Sequence, residues 1–261
     1  NSSSFAVNKL DNAPTGQVII TQDVKFYNNN SSILFKQDNP VTWSANATAI
    51  SFNFTGTEFN LNGGEKICDA VPGTWYKIVL SADVTSKLCF AKVYDAEGTL
   101  LGESDVTAFV NAGATAPVYL CYRTPDNSQG ELDFNNVKMY TPEIDGTKFT
   151  TTVADETISI PEAGESDVTT TLTAKALSTE GYDMIGEATW AFDESVTDTS
   201  SIVITPDTTD SHKATLTVKA GAPAGTLPIK VTIGGVTKTV EVNLTSSQDS
   251  VQFTQSTSSI S

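Results

Sequence analysis

Short runs of alternating apolar and polar residues, divided by turn-forming clusters, recur along the whole chain. The clearest lie in Cys68–Ser104, CDAVPGTWYKIVLSADVTSKLCFAKVYDAEGTLLGES. Alternation with period two puts every second side chain on one face of a sheet, and short polar gaps join neighbouring strands antiparallel. WYKIVLSAD and KLCFAKVYD, linked by Val84-Thr85-Ser86, therefore form a β-meander, which AEG turns into a third run. A tight Pro72-Gly73 turn ends at Trp75-Tyr76. The flanking segments repeat the pattern in both directions and ask for no helix. The meander is expected in the middle of a β-sandwich, with any site at its edge or on its exposed face.

The chain has 261 residues, enough for one large or two medium domains that each bury a core, and two are expected. A net charge of −16, with only 15 basic residues spread thinly, argues against nucleic acid and against anionic membranes. No apolar run approaches bilayer-spanning length, so no membrane insertion is expected, and NSSSFAVNKL lacks the layout of a signal peptide. The chain reads as a mature or excised piece. Abundant Thr, Ser, Asn and Asp with scarce Lys and His are the balance of a secreted or surface-displayed β-protein. Cys68, Cys89 and Cys121 allow one disulfide in any of three pairings. Cys89, in phase with Ala91 and Val93, fits a buried free thiol, which leaves Cys68–Cys121 as the expected bridge. Without a CxxC pair or a nearby His, the cysteines do not have zinc spacing.

In chain order, Pro14-Thr15-Gly16 turns between two extended pieces, and the Asn- and Gly-rich stretch from Lys25 to Gly64 reads as three or four short strands. APVYLCYRTPDNSQGELDFNNVKMYTPE supplies two more strands around a polar loop at 124–130, and Pro142 closes the unit. LDNAPTG, NSSILF, GTWYKIVLSAD and LDFNNVKMY occur in that order, and over residues 1–143 the chain resembles concanavalin-like, LamG-type jelly rolls. Where many members of that family carry Asp-Asn-Val in the last strand, this chain has Asn135-Asn136-Val137.

Residues 144–245 are poor in aromatics and rich in Thr and Val. ETISIP, DVTTTLTAKAL, EATWAF, SIVITP, KATLTVKA, TLPIKVTI and TKTVEVNL are spaced as a seven-stranded immunoglobulin-like sandwich requires. GAPAGTLPIKVTIGG resembles the last hairpin of bacterial Ig-like domains, and Trp190 is assigned to the core. The Ser/Thr/Gln-rich tail 246–261 has no periodicity and reads as a linker, so the natural chain is expected to continue. The expected architecture is thus all-β, a jelly-roll β-sandwich followed by an immunoglobulin-like β-sandwich.

His212 is the one histidine, which removes Ser-His-Asp and Cys-His triads. Jelly-roll glucanases place paired carboxylates as E-x-D-x-x-E. Here Glu103-Ser104-Asp105 starts that pattern, but Ala108 stands where the last Glu belongs. No catalysis is expected. The aromatics are more informative, because the first domain holds Trp43, Trp75 and six of the seven tyrosines. Sugar rings pack on flat aromatic faces while planar polar groups bond their hydroxyls. Asp69 to Tyr76 and Tyr122-Arg123-Thr124-Pro125-Asp126-Asn127 each combine both kinds. Stacking is assigned to Trp43, Trp75, Tyr76 and Tyr122, and hydroxyl binding to Asp69, Arg123, Asp126 and Asn127. Alternation lets either Trp75 or Tyr76 face inward, and Tyr122 and Arg123 serve equally well as a strand-end pair. Asp11 and Asp133 are weak candidates for a structural calcium, with ordinary turn and surface acids as the competing reading. No other cofactor is expected.

The arrangement resembles the surface polysaccharide-binding proteins of gut clostridia, including starch-adherence proteins of amylosome-type assemblies. The chain is expected to be a monomeric, non-catalytic glycan binder within a larger extracellular chain, and the resemblance implies starch or another α-glucan as its ligand. The alternative is an adhesin that takes a protein partner on an apolar patch or a free strand edge.

Overall fold

A computed structural model describes residues 5–27, 30–38, 47–124 and 131–246, with side chains from residue 8 onward. Trp43, Asp126, Asn127 and nearly all of the predicted linker lie outside the described residues. The chain forms two compact units. Unit 1 holds Asn1–Asp145 with Leu177–Gly186, and unit 2 holds Gly146–Ala176 with the strands that follow Glu187. Both are all-β, and no α-helix occurs among the described residues.

Twelve strands of unit 1 lie among the described residues. They are β1 (Phe5–Lys9), β2 (Gln17–Phe26), β3 (Ser31–Lys36), β4 (Thr48–Phe54), β5 (Glu58–Leu61) and β6 (Lys66–Asp69), then β7 (Trp75–Asp83), β8 (Leu88–Tyr94), β9 (Leu100–Glu103), β10 (Thr107–Ala108), β11 (Tyr119–Arg123) and β12 (Leu132–Tyr140). The predicted meander is β7, β8 and β9. One sheet runs β1-β11-β3-β4-β5-β6, and the other runs β10-β8-β7-β2-β12 with β9 also paired to β8. Alternation sends Val18, Ile20, Val24 and Phe26 of β2 and Tyr76, Ile78 and Leu80 of β7 into one core with Phe52, Phe54 and Phe59. Tyr76 meets Phe59 edge-on with ring centroids 5.0 Å apart, so it is Tyr76 and not Trp75 that faces inward.

Tyr122 is also a core residue. Its ring stacks on Phe134 with centroids 4.1 Å apart, and its hydroxyl donates to Oε1 of the buried Gln22 at 2.5 Å. Among the described residues Gln22 Nε2 has no hydrogen-bond partner, so the tyrosine supplies the contact that this buried amide makes through its oxygen. Tyr122→Phe is expected to lower stability by about 1–3 kcal/mol, the cost of stranding a buried polar group, as measured by urea unfolding.

The expected Cys68–Cys121 disulfide is absent, and all three cysteines are free. β11 and β6 lie four strand spacings apart in one sheet, or about 19 Å at 4.8 Å each, whereas a disulfide needs Cα atoms within about 7 Å. Burial pushes the Cys68 and Cys121 thiols up to about 11 and Cys89 to about 12. The native protein should therefore alkylate slowly at neutral pH and faster only as pH approaches 11. After unfolding without reductant it should gain three alkyl groups by mass. A gain of one would restore the disulfide.

Unit 2 contains β13 (Thr150–Val153), β14 (Thr157–Ile160), β15 (Val168–Lys175), β16 (Ala188–Phe192), β17 (Ile202–Pro206), β18 (Lys213–Val218), β19 (Gly225–Ile233) and β20 (Val236–Ser246). Sheets β13-β15-β18-β17 and β14-β20-β19-β16 enclose its core, with β14 parallel to β20. This is the strand order of an immunoglobulin-like sandwich with its first strand split between the sheets. Trp190 of β16 packs partly buried against that core, and its Nε1 donates to the Ser211 carbonyl at 2.9 Å.

Candidate functional site

In unit 1, the strand alternation that builds the core also builds a second face. With Val24, Tyr76, Ile78 and Val93 turned inward, Asp23, Lys25, Trp75, Lys77 and Tyr94 must point outward. Register then aligns them. Tyr94, Lys77, Asp23 and Asn135 form one row across β8, β7, β2 and β12, and Trp75, Lys25 and Asp133 form the next.

A β-bulge between Asn135 and Lys138 shapes the β12 side of this face. Asn136 sits there at φ 52°, a left-handed conformation that Asn tolerates better than most residues. Its Nδ2 donates to Asp23 Oδ2 at 2.5 Å. One cavity of about 280 Å³ lies over Asp23, Trp75, Lys77 and Asn135 and is closed by the turn at Asp95, Ala96 and Gly98. A second, of about 580 Å³, is lined by Thr21, Asp23, Lys77, Asn136, Lys138, Tyr140, Glu180 and Tyr182. Both include Asp23 and Lys77, so together they form one groove.

Tyr182 and Glu180 come from Leu177–Gly186, a segment of unit 1 that the sequence reading placed in the second domain, within residues 144–245. The segment is anchored firmly. The Asp183 carboxylate meets the Lys92 ammonium at 2.6 Å, Gln17 Nε2 donates to the Asp183 carbonyl at 2.9 Å, and the Ile185 N–H donates to Gln17 Oε1 at 2.8 Å. Met184 and Ile185 are buried beside it. Burial alone would lower the Lys92 pKa, but the Asp183 and Glu103 carboxylates outweigh that and hold it above the usual lysine value. Burial, with Glu180 and Tyr182 adding to it, pushes the Tyr140 hydroxyl up to about 12, so it is protonated at neutral pH. The Lys77 ammonium lies 5.8 Å from the Tyr94 ring centre and 5.6 Å from that of Tyr182, within cation–π range of both. The groove thus offers aromatic surface together with ammonium, carboxylate, amide and hydroxyl groups, the mixture that recognises polyols.

Few of the residues singled out from the sequence lie here. Trp75 does. Tyr76 borders the smaller cavity but is buried in the core, with its hydroxyl accepting the Val71 N–H at 2.8 Å. Tyr122 is in the core, and Arg123 lies on β11 in the other sheet, opposite Ser32. Asp69 is exposed on β6 at the edge of that same sheet and pairs with Lys66 at 2.6 Å. Of the calcium candidates, Asp133 accepts from the Tyr27 hydroxyl at 2.7 Å and meets Lys25 at 3.0 Å. The Tyr27 hydrogen bond first, and Lys25 second, hold its carboxyl below the usual range. Asp11 follows β1 of the opposite sheet, and no group of three or more metal-ligating side chains occurs among the described residues. Asp23, Lys77, Asn135, Asn136, Lys138 and Tyr182 were missed. Phase alone would have flagged Lys77 once Tyr76 and Ile78 were placed inside.

No family model matches the chain, and no curated protein does. Solved structures are similar at low identity. A structure titled sialidase matches with TM-score 0.39 and 14% identity over 53% of this chain, which spans 14% of that protein. A putative glycosyl hydrolase from Parabacteroides distasonis ATCC 8503 matches with TM-score 0.34 and 12% identity, covering 54% of this chain and 84% of that one. The S-layer protein rSbsC(31-844) matches with TM-score 0.32 and 15% identity, covering 85% of this chain and 28% of that one. The expectation of no catalysis is corrected by these titles. Proteins named sialidase and glycosyl hydrolase are among the structures similar to this chain.

Proposed function

We propose that the outward groove of unit 1 binds a polysaccharide. The observation that carries this reading is Trp75, half-exposed on β7, beside the cross-strand row of Lys77, Asp23 and Asn135 in a cavity of about 280 Å³. A sugar ring lying on the indole brings its hydroxyls to an ammonium, a carboxylate and an amide held on rigid strands, so little order is lost on binding. Starch or another α-glucan is the first ligand class, on the resemblance to starch-adherence proteins. Unit 2 acts as a spacer in a larger chain displayed outside the cell, in keeping with the acidic, Thr- and Ser-rich composition. Among the described residues no helix is long and apolar enough to cross a membrane.

The test is a pull-down of the intact chain with insoluble starch, cellulose, xylan and a β-glucan, repeated with Trp75→Ala. Retention by one of them and release by the substitution support the reading. Retention by none rejects it.

A further inference from the structure

We infer that the groove holds two sugar subsites, one on each side of the Asp23–Lys77 pair, and that Tyr182 is the stacking ring of the second. The inference rests on the glycan-binding reading and fixes the kind of ligand, a linear oligosaccharide of at least two rings. The two cavities meet at Asp23 and Lys77, residues that face each other across β2 and β7. Trp75 lies in the smaller cavity and Tyr182 in the larger, so each holds an aromatic ring of its own. From the level of Thr21 to that of Trp75, opposite Lys25, the groove runs four residues along β2. At 3.3 Å a residue this is about 13 Å, room for about two or three pyranose rings in line.

The pair between the subsites is set up to bond a sugar on either side. Asp23 is oriented by Asn136 at 2.5 Å, and the Lys77 ammonium, within cation–π range of the rings of Tyr94 and Tyr182, keeps donors for hydroxyls. Tyr182 is held in place before any ligand arrives. Its N–H donates to Ser178 Oγ at 3.2 Å, its carbonyl accepts the Ser178 N–H at 2.7 Å, and the next residue, Asp183, is tied to Lys92 and Gln17. With its backbone fixed this way, Tyr182 has only its side-chain torsions to order when a sugar stacks on the ring.

The experiment is calorimetric titration of the intact chain with glucose, maltose and maltotetraose, and with the matching series from any other polysaccharide retained in the pull-down. Affinity is expected to rise at least about tenfold from the single sugar to the tetrasaccharide. Tyr182→Ala should erase that gain and Tyr182→Phe should keep it. The length series needs no variant, so it decides between one and two subsites even if Tyr182→Ala fails to fold. Equal affinity at all lengths, or a gain that survives in folded Tyr182→Ala, overturns the two-subsite arrangement while Trp75-dependent retention leaves the glycan-binding reading in place. Retention of no polysaccharide overturns both.

Discussion

Trp75→Ala is expected to abolish retention by polysaccharide while leaving the thermal unfolding of unit 1 within about 3 °C of the parent, since the side chain stands outside the core. The ring faces outward on β7 with the Lys25 ammonium 5.1 Å from its centre, and Lys25 is held in turn by Asp133 at 3.0 Å. The indole is thus positioned by a charged pair and keeps surface open to the groove. Central aromatic platforms cost about 2–4 kcal/mol when truncated, or roughly 30- to 900-fold in affinity, enough to lose a module binding at micromolar strength. The neighbouring Tyr76→Ala should do the reverse. Its ring fills the core against Phe59, so about 3–5 kcal/mol of stability should go. A Trp75→Ala protein retained as well as the parent would move the site off this face.

What could be read in advance from the sequence divides along a physical line. Period-two alternation is local, so WYKIVLSAD and KLCFAKVYD named their strands and ATWAF, KATLTVKA and TKTVEVNL named theirs. Thr150–Val153, a run of threonines ending in valine, has no alternation to show and was missed as β13. Register is not local. That Asp23 meets Lys77 on one side and Asn135 on the other depends on pairing between segments more than 50 residues apart, which composition does not record. Tyr122 misled for a related reason. YLCYR has tyrosines in both phases, and only the position of β11 in its sheet decides which of them enters the core. Tyr182 lies in STEGYDMIGE, a stretch without period. Its role depends on Asp183 reaching Lys92, a contact between residues 91 positions apart.

A large stability effect is also expected from a single methyl group at Gly102. β9 pairs with β8 through Val93 opposite Gly102 and also passes against β6 of the other sheet. A Cβ at Gly102 would lie 2.3 Å from the Ile67 carbonyl oxygen and 3.1 Å from Cys68 Cβ. The nearer atom is backbone and cannot rotate away, so β9 must part from β6 or from β8. Parting from β8 endangers the Lys92–Glu103 pair at 3.1 Å and the Ser104 N–H donated to the Ala91 carbonyl at 2.9 Å. Gly102→Ala should therefore cost about 3 kcal/mol or more, a fall of roughly 6–12 °C in the melting temperature of unit 1. Two other glycines separate space from backbone. Gly16→Ala has nothing within 4 Å and no left-handed φ and should be close to neutral, whereas Gly98→Ala is equally uncrowded but sits at φ 89° and should cost about 1–2 kcal/mol in strain. If Gly102→Ala melted with Gly16→Ala, β9 would not lie against β6 in solution. The order Gly102, Gly98, Gly16 would instead show that the edge of the sandwich closes through a backbone contact with no room for a side chain.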